Sequence, residues 1–379
     1  MKLILIKTTL FSLVLWVAAT VSKAQQQNED LLNLLIQKGT LTQEEADSLR
    51  AEWALKAQDQ KEKQTKFNLS TSKALQLSGY IQGRYQVQDE KGKIDGFDIR
   101  RARLDLRGTI SEHWDYRLQV DFAGTPKLLD GIITYKNSDF FKISAGQFKI
   151  PISYENLMGS QKLETIDRSQ VVEALVARGK DVIGNHNGRD IGVQLNGSFV
   201  KLENNYLFDY AIGIFDGAGI NTTDNNEKKD FAGRLTIHPL SGLDISANYY
   251  NGLGKWAASN TAQPVSRGRE RVGFDVHYLR GPLSLTGEYI KGKDADSKKE
   301  GWYAQAAVFV FPKKVQLVAK YDDFDPNTAV AQDISHWYIG GLNYFFTNWS
   351  KLQVNYTVKD EQALETHNNL LSAQLTLQF

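Results

Sequence analysis

From residue 75 to residue 379 the chain alternates apolar and polar side chains, and this period of two constrains its fold more than any other feature. Leu75, Leu77, Gly79, Ile81, Gly83, Tyr85 and Val87 interleave with Gln76, Ser78, Tyr80, Gln82, Arg84, Gln86 and Gln88. Trp114, Tyr116, Leu118, Val120 and Phe122 interleave with Asp115, Arg117, Gln119 and Asp121. Successive side chains of a strand point to opposite faces, so each segment carries one apolar, aromatic face and one charged face. A soluble sandwich alternates too, but its apolar face must meet a second sheet. Repeated segments of about ten residues with this pattern suit a closed transmembrane barrel, apolar residues toward lipid and polar residues toward a lumen. The 16 Tyr, 18 Phe and 30 Gly against 7 Pro lean the same way.

Sixteen segments fit the pattern: 75–88, 97–110, 114–124, 128–137, 140–150, 189–199, 207–217, 229–239, 243–252, 271–281, 283–293, 300–311, 315–325, 333–346, 350–360 and 368–379. The expected fold class is therefore all-β, a transmembrane antiparallel barrel of about sixteen strands behind a short N-terminal α-helical segment. Connections after even-numbered segments are mostly short, such as Asn137-Ser138-Asp139 and Gly281-Pro282. Those after odd-numbered segments tend to be longer and polar, as over 218–228 and 253–270. Outer-membrane barrels alternate short periplasmic turns with longer outer loops in this way. Leu371, Ala373, Leu375, Leu377 and Phe379 share the apolar face of the last segment, and a terminal aromatic there resembles an outer-membrane sorting signature.

Residues 1–24 combine Lys2 and Lys7, an apolar run and small residues before a polar Gln stretch, the pattern of a cleaved secretory signal peptide. Its removal takes three lysines and moves the formal charge from +1 to −2. Any anion preference must then come from where charges sit. Residues 25–66 read as a periplasmic helical hairpin or coil, with Thr42-Gln43-Glu44-Glu45 as a capping box. Residues 67–379 are the expected barrel. The absence of cysteine excludes disulfide scaffolds and thiolate metal sites, and the near-zero charge argues against a nucleic-acid partner.

With the apolar parity toward lipid, the string G-F-D-I-R-R-A-R-L-D-L-R-G at 96–108 points Arg101, Arg103 and Arg107 into the lumen and leaves Arg100 on the lipid side. Arg84, Arg117, Lys142 and Arg234 fall on the inner parity of their own segments. Guanidinium groups offer forked donors to oxyanions, so such a ladder suits phosphate-like or carboxylate solutes. The one long connection, 151–188, has enough apolar content to fold inward against the wall. Inward folding would bring Lys149, Lys162, Arg168, Arg178, Lys180 and Arg189 to a constriction, opposed by Glu155, Glu164, Asp167, Glu173 and Asp181.

The same arginine string, with G-Q-F-K-I-P-I-S-Y-E-N-L at 146–157, I-D-R-S at 166–169 and G-R-D-I-G-V-Q-L at 188–195, resembles the phosphate-selective porin O and P family. The resemblance covers roughly 75–379. It implies a sixteen-stranded, usually trimeric outer-membrane porin with an inward constriction loop and an arginine-lined lumen. By motif, Arg101 and Arg103 match the arginine-rich second strand and Lys149 the lysine before the loop. Arg168 and Arg189 match the motifs inside and closing it. The expected partners are small anionic solutes, outer-membrane lipid and two further copies of the chain. No cofactor, metal site or catalytic residue is expected: the six histidines are scattered, and no G-x-S-x-G segment occurs. A non-selective general porin and a closed structural or adhesin barrel are the alternatives.

Overall fold

The computed structural model describes Lys38 and residues 74–379, apart from 91, 92, 94, 204, 260 and 363–366. The chain divides into two compact units, Met1–Thr65 and Lys66–Phe379. The signal peptide and the helices expected over 25–66 lie outside the described residues.

Sixteen strands form one closed antiparallel barrel. They are β1 (Gln76–Gln88), β2 (Gly96–Ser111), β3 (Trp114–Asp121), β4 (Lys127–Lys136), β5 (Lys142–Lys149), β6 (Arg189–Lys201), β7 (Tyr206–Phe215) and β8 (Asp230–Leu240). Then follow β9 (Leu243–Trp256), β10 (Val265–Arg280), β11 (Leu283–Asp294), β12 (Ser297–Phe311), β13 (Val315–Asp325), β14 (Ser335–Thr347), β15 (Ser350–Glu361) and β16 (Leu370–Gln378). Each strand pairs with its neighbours in sequence, and β1 closes on β16 with Ile81 opposite Leu377 and Tyr85 opposite Ala373. Closure leaves no sheet edge, which is what a sheet in hydrocarbon requires. The largest departure from the sequence reading is at β9 and β10. They run on together to Trp256 and Val265 where a long loop over 253–270 was expected. Polar alternation continues there past the apolar band, so the hairpin extends beyond it.

Burial is inverted relative to a soluble protein. Ile81, Phe97, Ile99, Val193 and Phe274 are exposed on the outer face, while Gln82, Arg103, Asp130 and Gln353 are buried. Aromatic pairs such as Tyr85–Phe97 mark one rim and Trp114–Tyr135 the other, the girdles of a membrane barrel. No described helix is long and apolar enough to cross a membrane.

The hydrophobic core lies inside the lumen. The segment between β5 and β6 folds inward, carrying α1 (Tyr154–Leu157), a 3-10 turn at Ser160–Lys162 and α2 (Gln170–Leu175). Its neck is closed by the Ile150 N–H donating to the Gly188 carbonyl at 3.1 Å. Ile152, Val171, Val172, Leu175 and Val176 pack with Tyr250, Ile290, Tyr303 and Phe324 of the wall. Full burial of such a side chain is worth about 1.5–3 kcal/mol. α2 sits flat on β11–β13 because Gly292 and Gly301 lack side chains: a Cβ there would come within 2.9 Å of Leu175 and of Val171 respectively.

Candidate functional site

The inward loop narrows the lumen, and its position decides which charges cancel. Three of its acids turn to the β10–β13 wall. Glu155 accepts from Lys320 Nζ at 2.8 Å. Glu164 accepts from Gln305 at 2.7 Å and Gln316 at 2.9 Å. Asp181 accepts from Arg269 Nη2 at 2.9 Å. These carboxylates are thereby removed from the open side of the throat, which faces β1–β6.

That side is cationic. A cavity of about 500 Å³ on the loop side of the throat is lined by Arg84, Arg100, Arg101, Arg103, Lys127, Arg168, Arg178 and Lys180, against only Asp121, Asp167 and Glu173. A second cavity of about 590 Å³ opens toward the end that holds Gln76 and Phe379. It is lined by Arg103, Arg107, Arg117, Lys149, Lys162 and Arg189, with Asp105 as the only acidic side chain among the described residues there. Arg103 borders both, so the cations form a path along one wall.

The sequence placed Arg100 toward lipid, and the structure reverses this. Arg101 pairs with Gln82 while Ile99 pairs with Gly83, so Arg100 is the extra residue of a β-bulge. A bulge re-aims its side chain. Arg100 points inward, donating to the Ile166 carbonyl at 2.8 Å and to the Asp167 carboxylate. The sign in the sequence is Arg100-Arg101, two adjacent polar residues interrupting the alternation. Lys127 is the other lining cation that the strand pattern did not single out.

The lumen arginines and lysines fall into two groups. Some are neutralised by a carboxylate: Arg84 by Asp98 at 2.7 Å, Arg103 by Asp121 at 2.8 Å and Arg189 by Asp130 at 2.7 Å. Arg117 donates to Asp105 at 2.9 Å and meets Asp130 at 3.1 Å, and Arg107 lies 3.4 Å from Asp105. Arg234 is paired with Asp275 at 2.7 Å and borders neither cavity. Lys142 is half-buried beside the short turn between β4 and β5, opposite Lys136, and borders neither cavity.

The other group is held by neutral partners. Lys149 Nζ donates to the Leu157 and Met158 carbonyls at 3.1 and 2.9 Å. Arg168 donates to the Glu155 and Met158 carbonyls, both at 3.0 Å. Arg101 donates to Gln82 Oε1 at 2.8 Å, and Lys180 Nζ lies 5.2 Å from the Trp337 ring centre. Carbonyl oxygens and ring faces orient a cation without cancelling its charge. Asp167 is the loop acid facing this group. Burial alone would raise its carboxyl, but Arg100, Arg84 and Arg101 hold it below the ordinary carboxylate value.

A closed sixteen-stranded barrel with an inward loop and a charged, polar throat defines the porin class. The chain belongs to the family described as phosphate-selective porin O and P, whose model matches residues 76–379. It is an outer-membrane channel of the bacterial type. A search of curated proteins found no match. Among solved structures, it is similar to the anion-selective porin from Comamonas acidovorans, with 14% identity over 80% of this chain and 98% of that one, TM-score 0.59. The trimer form of OmpT, an outer-membrane protein of Vibrio cholerae, gives 13% identity over 81% and 99%, TM-score 0.56. The outer-membrane channel DcaP of Acinetobacter baumannii gives 14% identity over 82% and 99%, TM-score 0.55. At these identities the likeness is one of fold.

Proposed function

We propose that the chain is an anion-preferring diffusion pore whose throat passes phosphate-like and carboxylate solutes. The observation that carries this reading is the surplus of cations in both throat cavities, several of them held by neutral oxygens and free to attract an anion. A field of one sign between low-dielectric walls concentrates counter-ions in the passage. In this reading, solute moves from the Arg84–Arg100–Arg101 group past Arg103 to the Arg117–Lys149–Arg189 group. The short turns and both barrel termini then face the periplasm. The trimer form of the matched OmpT supports assembly as a homotrimer.

The test is the single-channel reversal potential of the purified protein in a planar bilayer under a KCl gradient, repeated with added phosphate. An anion-side reversal with conductance reduced by phosphate supports the reading. A near-zero or cation-side reversal leaves a general porin, and no conductance leaves a closed barrel.

A further inference from the structure

Two throat arginines on different elements take an amide oxygen where Arg84, Arg103, Arg117 and Arg189 take a carboxylate. Arg101 on β2 donates to Gln82 Oε1 at 2.8 Å. Arg178 in the inward loop donates from Nε and Nη2 to Asn156 Oδ1 at 3.0 and 2.8 Å, with Glu173 no nearer than 4.0 Å. Both amides are fully buried. Their orientation follows from their other bonds. Gln82 Nε2 donates to Thr376 Oγ1 at 3.2 Å and to the Ser160 carbonyl at 3.5 Å. Asn156 Nδ2 donates to the Ile150 and Gly188 carbonyls at 3.4 and 3.3 Å. A guanidinium has donors only, so in each case the amide oxygen must face it.

Glutamate and aspartate are nearly the same shape as these amides and would turn each of these bonds into a full ion pair. They would also neutralise Arg101 and Arg178. We infer that Gln82 and Asn156 contribute to the charge selectivity of this throat, each positioning an arginine without cancelling it. The neighbouring strand pair shows the contrast. Arg103 sits opposite Asp121 in register and is neutralised, whereas Arg101 sits opposite Gln82 in register and is not. Asn156 has a second task, because its amide group ties together the two ends of the inward loop at Ile150 and Gly188. The inference rests on the anion-preferring reading above.

The experiment compares Gln82→Glu and Asn156→Asp with Thr134→Glu, a lumen position that meets Ser144 and neither arginine. Gln82→Met, similar in shape but uncharged and without hydrogen bonds, is the fourth variant. The readout is the chloride-to-potassium permeability ratio at about 0.1 M salt, where charges within roughly 10 Å are still felt. Gln82→Glu and Asn156→Asp should each lower the ratio by roughly twofold to fivefold, the effect of one added charge at close range in water. Thr134→Glu should lower it by clearly less, and Gln82→Met should retain most of it. If Gln82 were merely structural, Met would do more harm than Glu, and that outcome overturns the inference. So does a shift no larger than that of Thr134→Glu. Should one of the two charged variants fail to assemble, the other still decides. A wild-type protein without anion preference would remove the functional reading alone, because the ordering among the variants is read relative to wild type.

Discussion

Asp181→Asn asks whether the inward loop is held by charge. Asp181 is buried and anchors the segment after α2 to β10. Both its oxygens accept from Arg269 Nη2, at 3.0 and 2.9 Å, and Arg271 Nη2 lies at 3.8 Å. It also accepts from the Ala177 and Ile183 N–H groups at 2.8 and 3.2 Å, so it shapes the loop as well as pinning it. Asparagine keeps the shape but replaces one acceptor with a donor and removes the charge. Arg271 retains Asp294 at 2.6 Å. Arg269, almost wholly buried, retains the Tyr250 hydroxyl at 2.8 Å, that ring's face and the one amide oxygen of the asparagine, but no carboxylate in contact. Removing one partner of a buried pair typically costs about 3–5 kcal/mol. The Asp230 carboxylate behind Tyr250 keeps part of the balance, which places the expected loss near the low end, about 3 kcal/mol. At 1.4 kcal/mol per factor of ten, this shifts the seated-to-unseated ratio of the loop roughly a hundredfold. The variant should unfold at a lower temperature in detergent, followed by circular dichroism, and its single-channel current should become noisier. A melting temperature and noise level equal to wild type would mean that the Arg269–Asp181 pair does not hold the loop, and would refute the reasoning.

Two further outcomes follow from the throat. Arg100→Leu would be harmless if that side chain faced lipid. With Arg100 turned inward it should cost about 1 kcal/mol, because Asp167 loses its closest partner but keeps Arg84 at 3.8 Å and partial contact with water, and it should lower the temperature at which the barrel loses its compact gel mobility. Asp167 also sets a pH dependence. Its folded-state carboxyl titrates below the unfolded value of about 3.9, so its contribution is fully present above that value and is lost as pH falls through the folded one. The difference in reversal potential between wild type and Asp167→Asn should hold from about pH 7 to 5 and vanish only below roughly pH 4. A difference that vanishes near pH 6 would show that the arginines do not stabilise Asp167.

The strand plan was legible because it is local. Side-chain parity is a property of each strand alone, so Gln82 and Arg103 inside and Ile81 and Ala102 outside could be read from alternation. Strand ends came out within a few residues, except where the β9–β10 hairpin continues past the apolar band. The inward course of the loop was visible in Leu163, Val171, Val172 and Leu175, apolar residues with no other place to be buried. Parity failed at Arg100 because a bulge belongs to the pairing of β1 with β2, and only Ile99 opposite Gly83 shows it. The site was half legible for a related reason. Arginines and lysines could be assigned to the lumen, but not the partners that neutralise them. Glu155 meets Lys320 across 165 residues, and Arg189 meets Asp130 across 59. By itself, the sequence determined a barrel with a charged interior, because alternation and composition act strand by strand. Only the tertiary structure decided which of those charges pair and which are held by neutral oxygens, because that depends on which side chains closure and the folded loop bring within bonding distance.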